Sequence, residues 1–134
     1  MQRSRSEIAR ALYVALAVGD RDKLDTLLHP NFVGEIAEGM PYGIGGRHEG
    51  AAAMRRNGWG LISRHFTVRA EAERFLDVGE DRLLVTGRYR GQGKHGGGSL
   101  DASFAHIITF DAERVIGLEQ HTDTALWHAA AASS

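Results

Sequence analysis

The residues best suited to chemistry lie in the last third of the chain, where titratable side chains interrupt apolar segments. His106 lies in the first of two β-rich segments, and His121 and Asp123 lie in the second. A short turn at residues 111–114 separates the segments, an arrangement typical of a hairpin. A titratable group in a half-buried sheet is costly unless it is paired, and such groups often mark a functional site. These three residues are therefore the candidate catalytic residues.

Asp123 is the candidate general acid/base. A carboxyl group in an apolar pocket has a raised pKa, and it can accept and return a proton near neutral pH. The alternative role is structural, because Asp is a favoured helix N-cap and residues 124–127 could begin a helix. The sequence leaves both roles open.

His106 is expected to face a pocket, because the two-residue period of a strand places it beside Phe104 and other apolar side chains. A neutral imidazole there donates one hydrogen bond and can polarise a ketone or enolate oxygen. The alternative is a partly buried imidazole bonded to a backbone carbonyl. Pairing of residue 106 with residue 119 would bring His121 to the same face, whereas a one-residue slip would place Gln120 there as a hydrogen-bond donor.

The elements that must position these groups follow from apolar spacing and chain breakers. A first helix is predicted over 6–18, with Ser6 as its cap and Gly19 as its end. A second begins at Asp20 and stops at Pro30, and a third runs from residue 49 or 50 to about 64, weakened near Trp59 by two glycines. Strands are predicted at 32–36, 66–75 and 82–89 and in the closing hairpin, with loops at 39–46 and 92–99 and a frayed tail at 128–134.

This order of elements predicts an α+β fold, with three helices on one face of a curved, mostly antiparallel sheet. The length of 134 residues suits a single domain over 1–134. The net charge is −1 and the basic residues are scattered, so no nucleic-acid partner is expected. The absence of cysteine excludes disulfides and thiolate chemistry. No apolar run reaches the roughly 20 residues of a membrane span, and no signal peptide is recognised, so a cytoplasmic location is expected.

The order of elements and several local segments together resemble the nuclear transport factor two-like superfamily. The similar segments are residues 12–20, 27–32, 45–50, 104–111 and 120–124. The resemblance is to its SnoaL-like polyketide cyclases and ketosteroid isomerases in particular. It implies a cone-shaped α+β barrel with an apolar pocket between the concave sheet and the helices. It also implies a homodimer formed through the exposed face of the sheet, here carrying Arg69, Glu71, Glu73 and Arg74.

The resemblance also suggests roles for individual residues. Asp123 matches the acid/base aspartate of SnoaL-like cyclases, and His106 lies near a position that stabilises an oxyanion in related isomerases. Tyr13 lies in the helix whose tyrosine donates to the oxyanion in ketosteroid isomerases, with Leu12 as the alternative inward residue. Glu35 lies near the position of the isomerase base, with Ile36 as the alternative.

Together these features predict a small-molecule acid/base enzyme of the polyketide cyclase or isomerase type, acting on a hydrophobic carbonyl-containing metabolite. Asp123 would move a proton at the carbon next to the carbonyl, and His106 would stabilise the enolate oxygen. Tyr13, Glu35, Trp59, Phe104 and Gln120 are the candidate substrate-binding residues. No cofactor motif and no metal-ligand spacing are present, so neither is expected. The alternatives are a non-catalytic binding module, or water addition to an epoxide by a set that includes Arg88 and Asp101.

Overall fold

A computed structural model describes residues 3–132. Within that range the chain forms four helices: α1 (Arg5–Val18), α2 (Arg21–Leu27), α3 (residues 51–65) and α4 (Thr124–Ala130). The same range forms six strands: β1 (Leu28–Ile36), β2 (Gly46–Glu49), β3 (Phe66–Val78), β4 (Arg82–Gly93), β5 (Ser99–Asp111) and β6 (Arg114–Thr122). No helix within residues 3–132 is both long enough and apolar enough to cross a membrane.

The strands form one mixed sheet in the order β2-β1-β6-β5-β4-β3. Strands β1 and β6 pair in parallel, and the other neighbours pair antiparallel. The inner face of the sheet packs against α1, α2 and α3 through a continuous apolar core. The predicted α+β class with a mostly antiparallel sheet is therefore confirmed.

The N-cap of helix α1 lies two residues earlier than the sequence predicts. Ser4, rather than Ser6, is its N-cap, because Ser4 and Glu7 form a reciprocal capping box that satisfies two free backbone N–H groups. The helix ends at Gly19, as expected, where a φ of 69° is readily adopted by glycine. Its inward stripe includes Ile8 and Leu12, which are almost completely buried.

Helix α4 lies where the sequence predicts part of a frayed tail, and that prediction is wrong for residues 128–130. Trp127 anchors the helix because its ring is fully buried and packs edge-on against Phe66 and Tyr89, at centroid distances of 4.9 and 5.1 Å. Its indole N–H also donates to the hydroxyl of Thr122, at 3.1 Å. Residues 133 and 134 of the predicted tail lie outside the described residues.

Helix α3 contains a wider, π-helical turn over Met54–Trp59, at the place where the sequence predicts a weakened helix. Close contacts explain why residues 58 and 60 of this turn are glycines. A Cβ atom on Gly60 would lie 2.2 Å from the carbonyl oxygen of Arg55, and one on Gly58 would lie 2.8 Å from the sulfur of Met54. The turn brings the side chains of Met54 and Trp59 onto the inner face of the sheet, and π-helical turns are often found at functional sites.

The pairing of β5 with β6 decides which of the predicted site residues face inward. Residue 106 pairs with residue 120 rather than with residue 119. A β-bulge next to the turn accommodates one extra residue, which lets Val115 and Leu118 both be buried. As a result Gln120 faces the core, and His121 lies on the outer face of the sheet.

Candidate functional site

A cavity of about 90 Å³ lies between α1, α3 and the inner face of the sheet. Its inner end is formed by the buried side chains of Tyr89, His106 and Gln120, and the exposed residues of its lining are Ala17, Ser63 and Arg69. The walls between them are mainly apolar and include Leu16, Ile36, Met54, Trp59, Ile62, Val68 and Leu118. A cavity needs at least about 10–15 Å³ to hold one water, so this space has room for several waters or for a compact ligand.

Four side chains at the inner end form one continuous hydrogen-bonded chain. The hydroxyl of Tyr13 lies 2.8 Å from Nδ1 of His106, and the hydroxyl of Tyr89 lies 2.6 Å from Nε2 of the same ring. The amide nitrogen of Gln120 lies 2.9 Å from the Tyr89 hydroxyl. The amide oxygen of Gln120 accepts a hydrogen bond from the backbone N–H of Ala37, at 3.3 Å. Every side-chain polar group in this chain therefore has a partner, although it lies in an apolar environment.

The direction of each hydrogen bond follows from the end of the chain at Ala37. A backbone N–H can only donate, so the oxygen of the Gln120 amide must face Ala37. The amide NH₂ of Gln120 must then face Tyr89 and donate to its hydroxyl oxygen. Among the described residues, the Tyr89 hydroxyl has one other hydrogen-bond partner, Nε2 of His106, and the arrangement that uses the Tyr89 proton within the chain donates it to that nitrogen.

This arrangement assigns one of the two possible tautomers to His106. A neutral imidazole carries one N–H and one bare nitrogen. Because Nε2 accepts from Tyr89, Nδ1 carries the proton and donates it to the hydroxyl oxygen of Tyr13. The hydroxyl proton of Tyr13 is then not used within the chain. Tyr13 lines the cavity, so its proton is available to a ligand there.

The electrostatics keep all members of the chain neutral. Burial, together with a smaller effect of the nearby His121, lowers the pKa of His106 from 6.5 to about 3. Burial raises the pKa of the Tyr13 hydroxyl well above its ordinary value, and the Tyr89 hydroxyl adds to this effect. Burial raises the pKa of Tyr89 as well. His106 is therefore a neutral bridge near pH 7, and Tyr13 is a hydrogen-bond donor that keeps its proton.

Aromatic packing holds the chain in place. The ring of Phe104 stacks on the ring of His106 at a centroid distance of 4.2 Å. The ring of Tyr13 lies on the same imidazole at a centroid distance of 5.7 Å. Phe104 also packs against Tyr89, at 4.7 Å. Such pairs add stability beyond the area they bury. Phe104 therefore acts as a support for the imidazole rather than as a wall of the cavity.

Residues 9–117 match the family model of the SnoaL-like domain. The chain belongs to the SnoaL-like family. The predicted resemblance to that family and to the nuclear transport factor two-like superfamily is thereby confirmed. No curated protein matches the chain.

Solved structures of nuclear transport factor 2-like proteins share the fold of this SnoaL-like chain. One from Burkholderia pseudomallei K96243, of unknown function, is 27% identical with a TM-score of 0.80, covering 90% of this chain and 91% of that chain. Another, from Burkholderia thailandensis E264, is 24% identical with a TM-score of 0.85, covering 96% of this chain and 98% of that chain. A Sinorhizobium meliloti protein, provisionally named a polyketide cyclase, is 24% identical with a TM-score of 0.66, covering 86% of this chain and 94% of that chain.

The structure of the SnoaL-like chain brings some of the predicted site residues together. His106, Tyr13, Trp59 and Gln120 all line the cavity. His106 is 4% exposed and bonds to two tyrosine hydroxyls. The alternative, in which its ring bonds to a backbone carbonyl, is not what the structure shows. Leu12, the alternative to Tyr13, is buried in the core.

Other predicted site residues lie outside the cavity, and their expected placement is corrected. Asp123 is exposed just before α4, and its side chain makes no capping hydrogen bond. His121 is on the outer face, with its ring 3.2 Å from the carboxylate of Glu119. Glu35 is also exposed and pairs with Arg47 at 3.3 Å, whereas Ile36 lines the cavity. The physical reason is the same for Glu35 and His121, since neighbouring residues of a strand point to opposite faces.

The residues required for water addition to an epoxide also lie outside. Arg88 and Asp101 pair with each other on the outer face, where Arg90 joins them. Glu71 contacts both Arg69 and Arg90 on the same face. These pairs cover the convex side of the sheet, so Arg88 and Asp101 cannot position a water molecule in the cavity.

Sequence reasoning did not single out Tyr89 or Met54. A signal for Tyr89 was present, because Leu83, Val85 and Tyr89 share one face of β4 by the two-residue period. A tyrosine at the end of such an apolar series needs a partner for its hydroxyl. Met54 gave no comparable signal, since its position depends on the π-helical turn.

Proposed function

We propose that this SnoaL-like chain binds a small, mainly apolar molecule with a carbonyl group and activates that carbonyl through the hydroxyl of Tyr13. The reaction class is that of a polyketide cyclase, in which a carbanion next to a carbonyl attacks a second carbon. The observation that carries the proposal is the hydrogen-bonded chain from Ala37 to Tyr13, in which the inferred direction leaves the Tyr13 proton available to the cavity. The provisional name of the S. meliloti relative agrees with this class.

The physical basis is stabilisation of the charge that develops on the oxygen. Removal of a proton from the carbon next to a carbonyl moves negative charge onto the carbonyl oxygen. A donor fixed in advance stabilises that charge more strongly in a site with little water than in bulk solvent. His106 donates to Tyr13 and so increases the acidity of its hydroxyl proton, because successive hydrogen bonds polarise one another.

The cavity also limits which substrates can react. Within residues 3–132, no carboxylate lines the cavity, and His106 uses both ring nitrogens in hydrogen bonds. Proton removal then depends on a base from solvent that enters near Ser63 and Arg69. A carbon between two carbonyl groups is acidic enough for such a weak base. The proposed substrate class is therefore a compact β-dicarbonyl compound.

Proton exchange tests this activity directly. Methyl 2-methylacetoacetate has nine heavy atoms and one C–H between two carbonyls, and loss of that proton in D₂O is followed by NMR. We expect the protein to increase the exchange rate and the substitution Tyr13→Phe to abolish the increase. Asp123→Asn is the matched control, because Asp123 lies outside the cavity, and it should leave the increase intact. An equal increase with Tyr13→Phe would refute the assignment of Tyr13.

The second candidate function is binding without catalysis. The absence of a carboxylate from the cavity lining within the described residues favours it. It predicts that the same β-dicarbonyl compound binds through Tyr13 with no increase in the exchange rate. Tyr13→Phe would then weaken binding and change no rate, which separates the two candidates.

A further inference from the structure

We propose that Gln120 is a positioning residue that sets the hydrogen-bonding sense of the whole chain, so that the cavity selects ligands that present an acceptor to Tyr13. The inference rests on the proposed function in one respect, since Tyr13 is taken to contact the ligand. It adds a residue that acts on the ligand through Tyr89, His106 and Tyr13, and a rule for ligand choice.

The orientation of Gln120 is the starting point. Its amide is 4% exposed and is held at both ends, by the N–H of Ala37 and by the Tyr89 hydroxyl. Because the oxygen of the amide is already used by Ala37, position 120 offers Tyr89 a donor and no acceptor. The proton of Tyr89 therefore goes to His106, and the proton of Nδ1 goes to Tyr13.

An acceptor at position 120 would reverse this order. In Gln120→Glu, the ionised carboxylate has no proton to give, so one oxygen accepts from Ala37 and the other accepts the hydroxyl proton of Tyr89. Nε2 of His106 must then carry the ring proton and donate it to the Tyr89 oxygen. Nδ1 becomes the bare nitrogen and accepts the hydroxyl proton of Tyr13. The cavity would then meet the lone pairs of Tyr13 instead of its proton.

The consequence for ligands is a change of class without any substitution of Tyr13, the residue that is taken to bond to them. The wild-type cavity favours a carbonyl oxygen over an apolar group of the same shape. The variant favours a ligand N–H or O–H donor over its apolar counterpart. One neutral hydrogen bond contributes about 0.5–1.5 kcal/mol, so each preference should amount to roughly a 2–13-fold difference in Kd.

The tautomer of His106 is the decisive readout, because a purely structural role of Gln120 would not move it. In 15N-labelled protein, the protonated and the bare ring nitrogen of a neutral imidazole have well-separated chemical shifts. We expect the Nδ1–H form in wild type. Gln120→Met offers Tyr89 neither a donor nor an acceptor, so we expect this variant to lose the bias and to populate the Nε2–H form as well. We expect the Nε2–H form in Gln120→Glu at a pH where the 13C shift of the new carboxyl group shows ionisation.

Two isosteric ligand pairs provide the second readout. Acetophenone and α-methylstyrene differ by C=O against C=CH₂, and indole and indene differ by an N–H donor. Wild type should prefer acetophenone within the first pair and show no preference for indole within the second, and Gln120→Met should prefer acetophenone less strongly than wild type does. Gln120→Glu should lose the first preference and gain the second.

The outcomes separate this inference from the proposed function. A wild-type protein with the Nε2–H form overturns the inference even if the glutamate variant fails to fold, and so does an unchanged tautomer in the ionised variant. If the tautomer reverses while acetophenone shows no preference over α-methylstyrene in wild type, the role of Gln120 stands and the role of Tyr13 fails. If Tyr13-dependent exchange is observed while the tautomer does not respond to Gln120→Glu, the function stands and the inference fails.

Discussion

His106 and Gln120 lie directly opposite each other in the pairing of β5 with β6, and the hydroxyl of Tyr89 joins their side chains inside the cavity. This pairing brings a titratable ring and an amide to the inner end of an otherwise apolar space. Burial prevents the ring from taking up a proton, and the amide fixes the direction of the hydrogen bonds. The result is a neutral chain that ends in a donor at Tyr13.

Acid should destabilise the protein through His106. Its pKa is about 3 in the folded chain and 6.5 ordinarily, so between these values the unfolded chain binds a proton that the folded chain does not. The stabilisation from the neutral ring is complete above pH 6.5 and is lost as the pH falls through this window. The expected slope approaches about 1.4 kcal/mol per pH unit, and urea unfolding between pH 6 and 5 measures it.

The chosen pH range separates His106 from the carboxylates. The hydrogen bond from Arg90 lowers the pKa of Glu71, and the hydrogen bond from Arg88 lowers that of Asp101, so both titrate below pH 5. His106→Gln is the control, and its unfolding free energy should have a smaller slope in this range. An NMR titration in which the His106 ring takes up a proton near pH 6 would contradict the prediction.

Substitution of the two exposed candidates should leave the cavity unaffected. Asp123→Asn and His121→Asn change groups that lie outside the cavity, so the Kd for acetophenone should stay within about twofold of wild type. The stability should also change little, because exposed ion pairs contribute about 0–1 kcal/mol. Isothermal titration calorimetry tests the prediction. A large loss of affinity in either variant would place that residue in the binding site.

The placement of these residues shows how much of the site could be predicted from the sequence. The two-residue period was sufficient to place His106 beside Phe104 in a buried strand, and the structure agrees. The period could not decide between Gln120 and His121, because a bulge near the turn shifts the pairing by one residue. Such a bulge depends on packing across the whole sheet, with Val115 and Leu118 both reaching the core.

The side chain of Met54 should control the size of the ligand. Its sulfur fills the space beside Gly34, where a Cβ atom would lie 2.5 Å from it, and its side chain lines the cavity. Met54→Ala should therefore shift the preference from acetophenone to the longer butyrophenone. It should also cost about 2–5 kcal/mol of stability, since it leaves a cavity in the core. Competition binding and urea unfolding measure the two effects.

Gly34→Ala is the matched test of the same contact. The added methyl group should push the Met54 side chain towards the cavity and weaken acetophenone binding. In the double variant with Met54→Ala the affinity should recover, because the side chain that was displaced is gone. If Gly34→Ala weakens binding equally in both backgrounds, the effect does not pass through Met54.

The hairpin turn between β5 and β6 contains a strained residue. Ala112 has a φ of 54°, a left-handed conformation that costs a non-glycine residue roughly 1–2 kcal/mol. Ala112→Gly should stabilise the protein by up to about 1 kcal/mol, after the greater flexibility of glycine in the unfolded chain is subtracted. Glu113→Gly is the control, because Glu113 has no positive φ, and it should not stabilise. Equal effects of both substitutions would contradict this account.

The sequence was most informative where one local rule decides the structure. Gly19 ends α1 and the alternating pattern of 82–89 forms a strand, as predicted. It was least informative where tertiary contacts decide, as with α4, which Trp127 anchors through the buried aromatic cluster. The site combines both cases, since the two-residue period placed His106 and the family resemblance suggested Tyr13. The chain through Tyr89 depends on three separate elements.

The most direct measurement is the infrared stretching frequency of the acetophenone carbonyl bound to the protein. Donation by the Tyr13 hydroxyl should lower this frequency in wild type relative to acetophenone in an apolar solvent. Tyr13→Phe should return it to the apolar value while acetophenone still binds. A bound carbonyl with the same frequency in wild type and in Tyr13→Phe would contradict the central claim that Tyr13 donates to the ligand oxygen.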